Sequence, residues 1–406
     1  MISLRAALFA ASLLVPASAL ARPMTPEDVA RIEQVGAIAV SPDGTRVAHT
    51  TAWLPDVTKG KENGSTKQQL RVSWGAEEVR DFLPRDMSVS DVGFSPDGRM
   101  ISFTWTADKE KRGVWGIPLD GGAQHKLAGI DDVGISEYAW APDGQTLYLI
   151  ASAAPDKSRE KAEKAGFDAE VYEEEQRPNR LFAARVSDKV DENPRQIPVT
   201  GHITSLIITP DGKRAIAEIA PTTLVDDSYM KKRVSVLDLA SGNVIRQVTT
   251  PGKLGDVEMS PDGNTLSMVA GVDQHDPGAT TLYLVDTASG AYRPVNEGAP
   301  EAVIDTDWTD QGQLVAVVHT GARSLLRLYD ASGKQLQQFD PGDLSLGEVD
   351  ARGGKIMVEA SSPSHPTELF MFDNGQFTRW TRHNPWLADI DFGKQSIIRY
   401  PARVVQ

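Results

Sequence analysis

The chain has no cysteine in its 406 residues. That excludes a disulfide framework, thiolate metal ligation and a thiol nucleophile. Basic residues are also short: 42 Lys and Arg stand against 56 Asp and Glu, a formal net charge of −14. Nucleic acid and anionic membrane would both be repelled, so neither is expected as a partner. No apolar run reaches the roughly 20 residues a membrane-spanning helix needs. The seven histidines, at positions 49, 125, 202, 275, 319, 365 and 383, include no i, i+4 pair, so no helical zinc site is indicated. A serine-nucleophile elbow, G-x-S-x-G, is missing too. Its nearest approach, Gly134-Ile135-Ser136-Glu137-Tyr138, has Tyr where the second Gly is required, lies just before an expected inner strand, and has no strand-turn-helix context. No catalytic residue, metal or cofactor is therefore assigned. Asp273-Gln274-His275-Asp276, Asp131-Asp132 and Asp226-Asp227 read as solvated turns rather than cation ligands, and the eight dispersed Trp read as core.

What the chain does have is a repeated turn. Ser95-Pro96-Asp97-Gly98 sits between two short apolar runs, with Pro presetting φ and Gly free to take the left-handed conformation that reverses the chain. The same turn recurs at Ser41-Pro42-Asp43-Gly44, Ala141-Pro142-Asp143-Gly144, Thr209-Pro210-Asp211-Gly212 and Ser260-Pro261-Asp262-Gly263. Worn copies follow at Thr309-Asp310-Gln311-Gly312 and Ala351-Arg352-Gly353-Gly354. The intervals between first residues are 54, 46, 68, 51, 49 and 42. A period near 45 is the length of four short strands with their turns, one propeller blade.

A second family of turns keeps the same register: Asp238 to Gly242, Asp286 to Gly290 and Asp330 to Gly333, with weaker forms at Asp120-Gly121-Gly122 and Asp373-Asn374-Gly375. In one blade the four strands are expected at Asp256–Met259, Thr265–Ala270, Thr281–Val285 and Ala291–Val295, with third strands half-buried. The fold class is all-β: a seven-bladed β-propeller of four-stranded antiparallel blades over residues 36–400, with a short N-terminal helix and a charged insert in one blade.

Residues 1–21 read as a secretory signal peptide, with Arg5, the apolar run Ala6 to Val15 and the small-x-small site Ala19-Leu20-Ala21. Cleavage after Ala21 would place the mature chain in the periplasm or outside the cell. Thr25-Pro26-Glu27-Asp28 opens a helix within residues 22–35, whose stripe of Val29, Ile32 and Val35 needs a surface outside the repeat pattern. The long interval holds a charged insert, about 156–180, expected to begin with an exposed helix. It could project over the channel mouth, with Glu173, Glu174 and Arg177 as candidate substrate-gate residues. The loop from Asp56 to Lys67 lengthens the first blade.

Three stretches carry a resemblance. Met24 to Thr50, the insert Ala169 to Phe182, and Ser362 to Phe370 continuing through Thr381 to Leu387 are similar to the propeller of exported prolyl-oligopeptidase-like serine peptidases, in their acylaminoacyl-peptidase and dipeptidyl-peptidase branch. The resemblance covers nearly all of the mature chain. It implies a module that gates and filters peptide substrates for an α/β-hydrolase domain carrying Ser, Asp and His. Such a domain would start at the tail, 401–406, so the chain alone is expected to be inactive. The implied partners are a peptide substrate or a separately encoded hydrolase domain, or a second copy of the chain. The turn repeats are also shared by TolB-like periplasmic propellers, and a stand-alone protein-binding scaffold is the alternative.

Overall fold

The structure, a computed structural model, describes residues 21–400 except 57–59, 61–63, 170–172, 174–175, 192, 251 and 276–277. The proposed signal peptide, up to residue 20, and the tail from 401 lie outside these residues. Seven sheets of four antiparallel strands follow one another along the chain, and each blade is built from four consecutive strands. The inner strands are Gln34–Val40, Ser90–Phe94, Ile135–Trp140, His202–Ile208, Leu254–Met259, Ala302–Trp308 and Ser345–Arg352. The blade expected from Asp256 has strands at Leu254–Met259, Thr265–Ala270, Thr281–Asp286 and Tyr292–Pro294.

The repeated turns form as their residues dictate. Gly44 N donates to Ser41 O at 2.8 Å, and the Ser41 hydroxyl both donates to Asp43 and accepts from the Arg46 amide. The same bonds recur at Ser95, Thr209 and Ser260. The turns also hook onto one another around the ring. A Cβ on Gly263, whose φ is +73°, would meet Pro210 Cδ of the preceding blade at 2.9 Å. Blade 7 has no such proline; there Gly353 meets Gly44 of blade 1 backbone to backbone.

Apolar clusters fill the junction between every pair of neighbouring blades. The expectation of half-buried third strands is corrected here: Leu282, Tyr283, Leu284 and Val285 are all buried, because alternate side chains enter the clusters on opposite faces of their blade. Among the described residues, the junction between blades 7 and 1 has the fewest buried core side chains: Val35, Val40, Val47, Met357, Leu369 and Trp380.

Antiparallel pairing throughout sorts the connections onto two faces. The repeated turns gather on one, the turn face. The links from second to third strands, the start of blade 1 and the exit from blade 7 share the other, the terminal face. The insert therefore lies on the same face as both ends of the ring. Its helix, Lys157–Lys164, is capped by Asp156 accepting from the Ser158 amide at 2.8 Å and buries no residue. A second excursion on that face is the helix Val225–Met230, with Val225 and Tyr229 exposed.

The N-terminal stripe is a second correction. The first helix, Pro26–Ala30, is only five residues, closed by a capping box between Thr25 and Asp28. Val35 is not on it. It belongs to the first inner strand and is buried inside the ring, while Val29 is 56% exposed. Leu387 is buried and Trp386 is covered by the Arg31 guanidinium, 3.8 Å from its ring. Of the expected stripe, Val35 is thus met by the chain itself and Val29 is left exposed.

Candidate functional site

The inner strands leave an edge facing the axis, and edge N–H groups need partners. At four junctions a carboxylate on one inner strand accepts from the next blade's inner strand. Glu137 takes the Leu206 amide at 2.9 Å, Asp256 takes Thr306 at 3.1 Å, and Asp305 and Asp307 take Val349 and Ala351 at 2.7 and 2.6 Å. Asp350 takes Val40 at 3.0 Å across the closure of the ring. Each inner strand also carries a bulge in its ladder to the second strand.

Between the inner strands, toward the turn face, lies a cavity of about 880 Å³. One wall, from blades 1 to 4, is apolar, with Ile38, Val92, Ala139 and Ile207. The opposite wall, from blades 5 to 7, presents Glu258, Asp305, Asp307, Glu348 and Asp350. Burial pushes Asp305 and Asp307 up to about 8, with neighbouring Asp256 and Asp350 adding to the shift. Burial likewise raises Asp256 and Asp350 to about 6 and Glu137 to about 7. The Glu258 side chain faces the cavity without a hydrogen bond to the described residues. Burial, and then the charges of Asp307 and Asp256, hold its carboxyl well above the usual range. Asp305 and Asp307 therefore keep protons at neutral pH and can donate as well as accept hydrogen bonds. Among the described residues no group of three or more His, Asp or Glu could hold a metal ion.

The residues singled out by sequence fall elsewhere. Glu173 is exposed on the insert with φ +65°, and Arg177 Nε donates to Ala153 O at 3.0 Å at the insert's base. Neither lines the cavity; Glu174 lies outside the described residues. Ser136 is within an inner strand rather than before it, and its hydroxyl donates to Ile150 O. Asp227 is not a free turn residue: it is buried and accepts from Lys231 and Thr222. Asp276 lies outside the described residues.

The interblade carboxylates went unassigned, although a signal exists. Ahead of two turns, acids stand four and two residues back, Asp256 and Glu258 before Ser260 and Asp305 and Asp307 before Thr309, and Glu137 stands four ahead of Ala141. The histidines had no such signal. His49 and His383 are far apart in sequence, yet their Nε2 atoms lie 3.1 Å apart where the ring closes.

Fold and channel together define a seven-bladed propeller with a carboxylate-walled channel. No protein-family model matches the chain. A curated relative, the uncharacterized peptidase YuxL of Bacillus subtilis (strain 168), is 27% identical over 152 residues, which are 36% of this chain and 22% of that protein. Among solved structures, Pyrococcus horikoshii acylaminoacyl peptidase superposes with a TM-score of 0.64 at 12% identity, over 89% of this chain and 55% of that one. A prolyl endopeptidase gives 0.61 at 15%, over 86% and 50%. The β-propeller domain of the trilobed protease from Pyrococcus furiosus gives 0.58 at 13%, over 87% of this chain and 99% of that one. The structural neighbours are thus peptidases and a peptidase propeller, alike in fold. The chain spans about half the length of the acylaminoacyl peptidase and prolyl endopeptidase it matches, and about a fifth of the curated relative.

Proposed function

We propose that this chain is the propeller of a serine peptidase of the prolyl-oligopeptidase type, gating peptides on their way to a hydrolase domain seated on the terminal face. The observation that carries this reading is the placement of both ends of the ring, the insert and the helix Val225–Met230 on one face. It is supported by the curated peptidase relative and by neighbours about twice the chain's length. The signal-like start fits an exported enzyme. A docked domain would close one mouth of the channel, leaving the turn face, with its carboxylate wall, as a route for extended peptides. Glu173 and Glu174 would hold a peptide's amino terminus and Arg177 a carbonyl or carboxylate.

The test is to mix the purified chain with the catalytic domain of a close relative and to follow sedimentation and peptide hydrolysis. The chain alone should hydrolyse nothing. The mixture should sediment as a one-to-one complex and cleave short peptides. A strict monomer with no complex at tens of micromolar would sink the reading and favour a stand-alone scaffold, whereas self-association would point to a second copy on that face.

A further inference from the structure

The seam between blades 7 and 1 is held differently from the other junctions. Its apolar cluster is the thinnest, and a polar strap, residues 380–390, crosses from the last blade onto the first. Trp380 Nε1 donates to Ser73 Oγ at 2.7 Å and Trp380 O accepts from the Glu77 amide at 2.8 Å. Asn384 makes a two-way pair with the Glu33 backbone, accepting from its amide at 2.9 Å and donating to its carbonyl at 2.6 Å. Between these lies His383, whose amide donates to the buried carboxylate of Glu368.

The protons on the two imidazoles follow from their partners. Arg71 Nη1, which can only donate, lies 2.6 Å from His383 Nδ1, so that nitrogen accepts. His383 Nε2 then carries the hydrogen and donates to His49 Nε2 at 3.1 Å. The proton of His49 is left on Nδ1, which is buried and has no partner among the described residues. Every basic nitrogen of the pair is therefore already in use as an acceptor. A further proton on His383 would point at Arg71, and one on the fully buried His49 would set two N–H groups face to face.

We propose that the His49–His383 pair is a proton-sensitive latch: protonation breaks the contact and releases the C-terminal strap from blade 1, loosening the ring at this seam. Other charged groups around the pair are already matched. Glu33 pairs with Arg71 at 3.2 Å and with Arg85 at 2.5 Å, Asp81 lies 2.9 Å from Arg71, and Glu368 pairs with Arg379 at 2.9 Å. Arg382, next to His383, is paired with Glu77. Among the described residues no spare carboxylate remains to compensate an imidazolium. Burial lowers both imidazoles from the usual histidine value; for His49, the His383 and Arg71 charges lower it further. For His383, the pull of Glu368, Glu33 and Asp81 toward the charged form does not overcome burial. The inference does not depend on the peptidase reading.

The experiment is hydrogen exchange by mass spectrometry on the full chain between pH 5 and 8, corrected for intrinsic rates. Peptides covering the strap and the Glu33 and Glu77 amides should lose protection by up to about tenfold per pH unit below roughly 6.5, while blade 5 stays protected. The double variant His49→Gln, His383→Gln should abolish that pH response. Should the variant fail to fold, ring-nitrogen NMR on the unaltered chain decides: both rings should take up their protons at lower pH than a free imidazole, about 6.5, with the hydrogen of His383 on Nε2 in the neutral form. Protection that does not change with pH, a pH response that survives in the double variant, or an imidazolium at neutral pH would each overturn the latch.

Discussion

Two closures of one ring work by opposite chemistry. Junctions 5/6 and 6/7 are joined by carboxyl groups whose burial favours the protonated form, over well-filled apolar clusters. The seam between blades 7 and 1 keeps one such carboxyl, Asp350, and adds a neutral imidazole pair over a thin cluster. A carboxyl raised to about 8 contributes stability that is fully present below its unfolded value near 4 and is lost as pH rises through 8. A histidine lowered by burial contributes stability that is present above its unfolded value near 6.5 and is lost as pH falls below it. Alkali therefore bears hardest on the junction between blades 6 and 7, whereas acid bears on the imidazole pair at the seam. A circular repeat need not have equivalent joints.

The largest effect should come from a core far from either device. Phe103 is fully buried in the cluster between blades 1 and 2. Phe103→Ala should cost about 3–5 kcal/mol in denaturant unfolding, yet leave the pH response of strap exchange in place. Loss of that response would show that the seam is not a local element. Next in size, Asp305→Asn with Asp307→Asn keeps an acceptor for Val349 and Ala351 and removes the charge. At about pH 9 the double variant should be about 1–3 kcal/mol more stable than the natural chain, discounted for water in the channel, with little gain at about pH 5. Equal urea midpoints in alkali would mean that the wall ionises without cost.

Smaller still is the contact between turns. Gly263 and Gly312 have nearly the same φ, +73° and +76°, but only Gly263 of the two faces a neighbour; Gly312 has open space. Substitution by Ala should cost about 1 kcal/mol at Gly312 from backbone strain alone, and roughly 1 kcal/mol more at Gly263. Identical melting shifts would show that the hoop of turns adds nothing. The smallest effect should follow excision of Lys157 to Lys164, which bury no side chain; a change beyond about 0.5 kcal/mol would make the insert structural.

How much could be read beforehand divides along the same line. Turn chemistry is local, so Ser-Pro-Asp-Gly and Asp-x-x-Ser-Gly exposed the blades, their number and most strand limits. The pair Gly353-Gly354 also read correctly as a turn, although the structure gives both residues positive φ in a two-residue hairpin unlike the Ser-Pro-Asp-Gly copies. Burial on both sides of a blade was not legible, because it depends on neighbours roughly 45 residues away, one blade along. The N-terminal stripe failed for a related reason: Val35 shares helical spacing with Val29 and Ile32, but the β-ladder of blade 1 claims it. The channel carboxylates were visible as spaced acids yet carry meaning only beside the next blade's free amides. The imidazole pair could not be read at all until the ring closed.

One more feature bears on how the ring responds to force. Arg22 pairs in parallel with the segment after the last blade, its amide donating to Asp389 O at 3.0 Å and its carbonyl accepting from the Asp391 amide at 2.8 Å. Tension applied between the two ends thus falls first on two hydrogen bonds, then on the Asn384 pair with Glu33, before it reaches any four-stranded ladder. In single-molecule pulling the earliest yield should be a short extension at low force, more compliant in mild acid than at neutral pH, well ahead of blade rupture. The ring is a spring with a designated soft point, and that point sits where anything joined beyond Asp391 would exert its leverage.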